Sequence, residues 1–468
     1  MKYLLFGTGD YYERYKKWFE KENIVALLDN SSEKQNSSID GIKIVSPAEG
    51  IKLDYDVIVI LSFYVKSMKA QLIELGVDEK RIYHFFDLHK ILKGEKNNRP
   101  IKYFGNAESI ALGNLDCNKK ILLLSHDLTL GGPALALYHA AEVLCDRGYT
   151  VVFASMLDGP LRHTLTDREI PVIVDENLQI QTMKEAEWTG NFDLVICNTI
   201  SFYVYLSLRD EEIPMIWWLH DSAFFYDGVD KEILGKICIK NLEIVSVGPI
   251  PRSAIKTFLP EIRISDLLYG VVDKGTKFFD SNEVLDGKEK ICFTTIGYIE
   301  NRKGQDVLMA AIKRLRKEIL NQCKFFLVGQ NSSLMAQQIK LEIENIPQVV
   351  MTGTVGRDEI NNILSKTDML ICPSREDPMP TVAAEAMMHR VPCLISNAAG
   401  TSEYINEGLS GLIFKNEDVR ELAEKIAWCV EHRNDIIRMG KEARKVYENV
   451  FSVEAFERNF MQLVERVF

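Results

Sequence analysis

The segment Ser374-Arg375-Glu376-Asp377-Pro378-Met379-Pro380-Thr381-Val382-Ala383-Ala384-Glu385 holds loop carboxylates, two prolines and a further carboxylate inside a helix-forming run. Met369-Leu370-Ile371-Cys372 ahead of it reads as the end of a buried strand, and Ala383 to Met388 are strong helix formers. Pro380 is expected at the first helical position, where its missing N–H costs nothing. The free amides that follow, around Thr381 and Val382, form an anion site, because unsatisfied donors and the helix dipole both favour phosphate. Thr381 and Glu385 share a helix face and stand about 6 Å apart along the axis, which is the offset between a pyrophosphate and its ribose. Asp377 stays in the loop on the far side of that phosphate. A ligand built as sugar, diphosphate and ribose would therefore meet Asp377, then the helix start with Met379 and Pro380 leading into it, then Glu385. The same residues also fit a capped surface helix with solvated acids.

The elements around this segment supply complementary groups. Ile291 to Ile296 reads as a buried strand ending at Gly297; Tyr298-Ile299-Glu300-Asn301-Arg302-Lys303-Gly304 then leads to an apolar helix from Val307. A cation just before a helix start, Lys303 with Arg302 beside it, can stabilise a departing diphosphate, although both also suit an exposed turn. Ile121 to His126 reads as a strand, followed by a loop containing Gly131 and Gly132 and a helix from Ala134 to Arg147. Paired glycines let backbone amides approach a ligand closely. Met215 to Leu219 places His220 at the carboxyl end of an apolar strand, the edge where open α/β sheets bind ligands. Asp221 would orient His220 or cap the next turn. Asn198 and Thr199, after the strand Leu194 to Cys197, sit at the same edge, and Asp158-Gly159-Pro160 reads as a turn.

Asp377 and Glu385, eight residues apart, resemble the acidic E-x7-E signature of family 4 glycosyltransferases, with Asp in place of the first Glu and Glu376 beside it. By that resemblance Glu376 or Asp377 reads the donor sugar and Glu385 holds the ribose. Gly297 to Gly304 resembles the family's G-x(5)-K-G loop, with Lys303 and Arg302 on the diphosphate; Tyr298 stands where many members carry Arg. The Gly131-Gly132 loop resembles the one that approaches the donor phosphates across the cleft, and His220 would sit near donor sugar and acceptor. The resemblance covers roughly residues 119 to 468 and implies transfer from a nucleotide diphosphate sugar with retention. No tightly bound metal or other cofactor is expected, though magnesium could accompany the nucleotide.

A chain of 468 residues suggests about three domains. The formal charge of −11 argues against general nucleic-acid binding. One local exception, Lys313-Arg314-Leu315-Arg316-Lys317, is expected on an amphipathic helix, read first as a solvated face. The nine cysteines include no C-x-x-C pair, and several lie in apolar strands, so they read as reduced core residues of a cytoplasmic protein. No signal peptide and no run of 18 apolar residues is present in the sequence, which allows peripheral contact at the inner membrane face.

The first hundred residues read as a separate unit. Tyr3 to Phe6 is a strand entering a glycine turn, Ile24 to Asp29 a second strand ending in an acid, and Val57 to Leu61 a third. Gly7, Gly9 and Asp29 match much of a dinucleotide fingerprint, but the third glycine position is Tyr12.

The expected architecture is α/β: a GT-B fold of two facing Rossmann-like domains plus a small N-terminal Rossmann-like domain. Its units are residues 1–95, 119–285 on the acceptor side, and 288–450 on the donor side, with a last helix at 452–468 returning to the acceptor half. The expected function is sugar transfer to a glycan, lipid-linked or protein acceptor, in polysaccharide or glycoconjugate synthesis. Two other classes stay open: a non-catalytic transferase-like partner, allowed by Tyr298 and Asp377, and a dinucleotide-dependent oxidoreductase using Gly7, Gly9 and Asp29.

Overall fold

The computed structural model describes residues 1–92, 99–114, 119–274 and 289–468. Most of the linker expected at 93–100, and the boundary expected at 285–288, lie outside the described residues.

Three open sheets follow one another along the chain. The first runs, in spatial order, Ser38–Ile39, Ile42–Val45, Ile24–Leu28, Tyr3–Phe6, Val57–Ile60 and Ile82–His84. The second runs Ile264–Asp266, Leu242–Ser246, Met215–Leu219, Leu194–Asn198, Lys120–Ser125, Thr150–Ser155, Val172–Val174 and Lys102–Phe104. The third runs Val349–Gly353, Cys323–Val328, Ile291–Ile296, Met369–Cys372, Cys393–Ser396 and Gly411–Phe414. Pairing is parallel except for Ser38–Ile39 against Ile42–Val45 and Lys102–Phe104 against Val172–Val174. The sequence reading placed Lys102–Phe104 ahead of the first transferase half; the structure makes it that half's edge strand.

Continuous apolar runs become strands here because both faces of each sheet are covered. In Tyr3–Phe6, Tyr3 and Leu5 enter one core while Leu4 and Phe6 enter another. In Lys120–Ser125, Ile121 and Leu123 face the core shared with the third sheet's unit, and Leu122 and Leu124 face the opposite one. Strand order reverses between Tyr3–Phe6 and Val57–Ile60, between Lys120–Ser125 and Leu194–Asn198, and between Ile291–Ile296 and Met369–Cys372. Crevices open at such reversals, outside the carboxyl ends of the strands.

The second and third units are stitched together. Val271 N–H donates to Phe451 C=O at 2.8 Å and Tyr447 Oη to Val271 C=O at 2.7 Å. The helix Val453–Val467, capped by Ser452 at 3.1 Å to Ala455 N–H, then lies on the second sheet's unit. Phe456 stacks on Trp218 at 5.8 Å, and Arg147–Glu457 and Arg466–Glu243 close to 2.6 Å. The first unit docks on the second through Arg14–Asp127 at 3.0 Å, Lys17–Glu176 at 2.5 Å and Lys90–Asp230 at 2.6 Å. The packing there is tight enough that a Cβ on Gly228 would come within 2.9 Å of His84.

The basic cluster at 313–317 does not lie on one helix. Gln305–Arg314 ends where Leu315 turns extended and packs on the core, and Lys317–Leu320 begins anew. Lys313 pairs with Glu342 at 2.9 Å and Arg316 with Glu431 at 3.4 Å.

Candidate functional site

A cavity of about 1230 Å³ opens where the three units meet. Its third-sheet wall comes from the loops after Ile291–Ile296 and Met369–Cys372, the two strands flanking the reversal of order. Gly304 lets these loops touch: it adopts φ +68°, and a Cβ there would stand 2.0 Å from the Pro373 carbonyl oxygen. Arg375 zips them further, its N–H donating to Arg302 C=O at 2.8 Å and its guanidinium to Asn301 C=O at 2.7 Å and to both Asp306 oxygens at 2.8 and 2.7 Å.

This zipper brings together residues that are distant in sequence. Lys303 Nζ lies 2.5 Å from Asp377 Oδ2, and the Arg302 guanidinium 4.0 Å from Asp377 Oδ1. Arg302 also reaches Glu300 at 3.1 Å and Glu376 C=O at 3.4 Å. Asp377 is buried, with its C=O taking the Gly400 N–H at 2.9 Å. The two loop acids diverge: Asp377 faces the cations, whereas Glu376 reaches across the cleft and accepts the Ala223 N–H at 2.6 Å. Gly297 adopts φ +144° beside the Lys303 stem. Tyr298 is exposed.

Pro380 is the residue before the helix, not its first member. Its backbone is extended at ψ 113°, and the helix runs Thr381–Met388. The first helical amides are therefore those of Thr381 and Val382, which have no carbonyl one turn earlier to bond. Met379, Pro380 and Thr381 line the cavity, while Val382 packs on the core joining the two halves. Glu385 lies one turn past the lining residues, buried and held by Arg357 at 2.6 Å. Burial raises its carboxyl above the usual range against the opposing charge of Arg357.

On the second sheet's side, Gly131 precedes the helix Gly132–Asp146, and Gly132 and Pro133 line the cavity. A Cβ on Gly132 would meet nothing within 4 Å, so this helix end faces open space. His220 follows Met215–Leu219 and lies 4.6 Å from the Trp218 ring. Burial, reinforced by the field of His126, lowers it to about 3, so the imidazole is neutral. Among the described residues its Nε2 has no hydrogen-bond partner. Asp221 holds the neighbouring loop instead of orienting His220, its Oδ2 accepting the Ile200 N–H at 2.7 Å. Asn198 donates to Pro133 C=O at 2.9 Å, and Thr199 lines the cavity. At Asp158-Gly159, a Cβ on Gly159 would collide with Leu128 C=O at 2.4 Å, so this turn packs on the next loop.

The sequence reading missed the third wall. Tyr11, Phe63, Tyr64 and Lys66 of the first unit line the same cavity, opposite His220 and beside Phe224 and Phe225. The signal lay in Phe63-Tyr64 directly after a buried strand, at the carboxyl edge of the first sheet. The fingerprint residues Gly7, Gly9 and Asp29 border a separate cavity of about 350 Å³. Gly7, at φ +118°, is demanded by packing, since a Cβ would lie 2.5 Å from Leu61 C=O. Asp29 is engaged by the Thr8 hydroxyl, by Ser31 N–H at 2.8 Å and by Lys34 at 3.4 Å. Tyr12, at the third glycine position, is buried and donates to Asp40 at 3.0 Å.

Among the described residues no helix is long and apolar enough to cross a membrane.

Residues 117–246 match the family "Glycosyl-transferase family 4", residues 276–446 match "Glycosyl transferases group 1", and residues 1–83 match "C2185-like, N-terminal". Spore coat protein SA of Bacillus subtilis is 24% identical over 365 residues, covering 72% of this chain and 95% of its own length. The Escherichia coli UDP-Gal:alpha-D-GlcNAc-diphosphoundecaprenol alpha-1,3-galactosyltransferase is 21% identical over 272 residues, 55% of this chain and 65% of its own. The crystal structure of Anabaena HepE in complex with UDP superposes with a TM-score of 0.61 at 18% identity, over 74% of this chain and 100% of that one, and so shares the fold. With two glycosyltransferase families matched in order along one pair of facing sheets, the chain is a family 4-like glycosyltransferase of GT-B fold carrying an additional N-terminal domain.

Proposed function

We propose that the chain transfers a sugar from a nucleotide diphosphate sugar to a hydroxyl of a glycan, lipid-linked or protein acceptor, with retention of anomeric configuration and without a tightly bound metal. The observation that carries this reading is the Lys303–Asp377 ion pair at 2.5 Å in a cavity that also receives the free helix end at Thr381. Lys303, Arg302 and the amides of Thr381 and Val382 offer cationic and dipolar stabilisation where a diphosphate would gain charge on leaving. Asp377 accepts donor-sugar hydroxyls, Glu385 takes the ribose, and His220 faces the reacting groups as a neutral imidazole. The anomeric carbon–oxygen bond to the diphosphate breaks, the acceptor oxygen bonds that carbon on the same face, and the departing phosphate oxygen takes the acceptor proton.

In this reading residues 288–450 hold the donor, residues 119–285 with the returning helix 452–468 the acceptor, and residues 1–95 form the accessory domain. UDP is the first nucleotide to test, since HepE was solved with it and the E. coli relative is named for UDP-Gal. The latter's diphosphoundecaprenol acceptor supports lipid-linked glycans and a peripheral place at the membrane. A thermal-shift series against UDP, GDP, ADP, TDP and CMP tests the donor site. One nucleotide should stabilise the protein, and Glu385→Ala and Lys303→Ala should each weaken that effect about tenfold or more in affinity. No shift with any nucleotide would favour the non-catalytic partner.

A further inference from the structure

We propose that the N-terminal domain completes the acceptor subsite, and that the subsite takes a pyranose ring between an aromatic wall and a polar one. The inference rests on the transferase reading, because it names the ligand on the acceptor side of the same cavity. The aromatic wall crosses from one unit to the next: Tyr11 lies 4.3 Å from Phe63, which lies 4.7 Å from Phe225. Tyr64, 73% exposed, continues this wall at the cavity mouth.

Across the cavity stands Thr199, a β-branched residue at φ +69°. Such a conformation persists only where neighbours enforce it. Here Thr199 N–H donates to Trp218 C=O at 2.8 Å, its C=O takes Trp217 Nε1–H at 2.7 Å, and the next amide is held by Asp221 at 2.7 Å. The enforced geometry keeps Thr199 Oγ1 at the cavity, and among the described residues this atom has no hydrogen-bond partner, although Thr199 is only 2% exposed. His220, 9% exposed, presents its unpartnered Nε2 to the same space.

Buried polar atoms without partners are costly unless a ligand satisfies them. An acyl chain would match the aromatic wall but leave Thr199 and His220 unpaired. A pyranose offers a C–H face to one wall and hydroxyls to the other, and so satisfies both. The N-terminal domain is held at this distance by Arg14, whose bridge to Asp127 at 3.0 Å lies beside the cavity.

The test uses the full chain with the methyl glycosides of glucose, galactose and N-acetylglucosamine, read by saturation-transfer NMR, with UDP binding followed separately by calorimetry and dodecyl phosphate as the lipid probe. At least one glycoside should bind, and Tyr64→Ala and Thr199→Val should each weaken it about tenfold with UDP affinity unchanged. Tyr64 is exposed, so its removal leaves the core intact should Thr199→Val fold poorly. Absence of glycoside binding, indifference to Tyr64→Ala, or saturation of dodecyl phosphate alone would overturn the proposal. UDP binding with indifferent glycosides sinks this inference and spares the donor reading; glycoside binding that responds to Tyr64→Ala without UDP binding does the reverse.

Discussion

Burial lowers His220 to about 3 and raises its neighbour Asp221 to about 7, so the two impose opposite pH slopes on stability. Below the ordinary histidine value of 6.5 the unfolded chain binds a proton at His220 that the folded chain refuses, and stability falls as pH drops toward 3. Asp221 runs the other way. Above the ordinary value of 3.8 the folded state keeps a proton that the unfolded state has lost. Its contribution is fully present below 3.8 and is lost as pH rises through 7. Asp221→Asn keeps an acceptor for the Ile200 amide and abolishes that titration. Chemical denaturation between pH 4 and 7.5 should show wild type losing ground to the variant as pH rises, by roughly a few kcal/mol across the window. A difference that does not vary with pH would mean that the three backbone amides around Asp221 keep it ionised.

At the scale of elements, the donor loops work because two strand exits lie side by side at a reversal of sheet order. Gly304 is the hinge of that arrangement, combining a left-handed backbone with contact on Pro373. Gly304→Ala should cost about 2 kcal/mol or more and separate Lys303 from Asp377, seen as a lower melting temperature together with loss of nucleotide stabilisation. Loss of stability with nucleotide affinity intact would show that the loops re-form without the close approach. Much of this level is legible in sequence, because a strand covered on both faces is an unbroken apolar run and its exit is punctuated by glycine or proline. The misplaced details have local causes. Pro380 stays extended just ahead of the helix, and Leu315 leaves its helix because the core takes its side chain.

Across the whole molecule, the N-terminal domain meets the second unit through three partly exposed ion pairs and an aromatic seam that includes Phe63–Phe225 at 4.7 Å and Phe86–Tyr203 at 6.0 Å. Exposed pairs contribute about 0–1 kcal/mol each, whereas buried aromatic contacts carry their full apolar area. The triple variant Arg14→Ala, Lys17→Ala, Lys90→Ala should therefore stay docked, melting in one calorimetric transition with an unchanged radius of gyration by X-ray scattering. A separate low-temperature transition would move the docking energy to the ion pairs. The two transferase halves are likewise joined at more than the cleft, since one apolar core includes residues of both and Arg252–Glu403 bridges them at 3.0 Å.

Sequence alone was enough for the GT-B fold, the glycosyltransferase family and the loops that carry the candidate groups, since each of these is written in contiguous residues whose periodicity and punctuation act locally. Tertiary structure decided which groups meet. Lys303 and Asp377 are 74 positions apart, Glu376 and Ala223 153 apart, and Arg14 and Asp127 113 apart. No local pattern encodes such pairs, because they depend on how separately folded sheets pack and on what that packing desolvates. For the same reason the sequence marks Gly7, Gly9 and Asp29 as a nucleotide fingerprint, while the fold uses Gly7 for close packing, satisfies Asp29 within its own domain and turns the neighbouring aromatic edge toward the cleft.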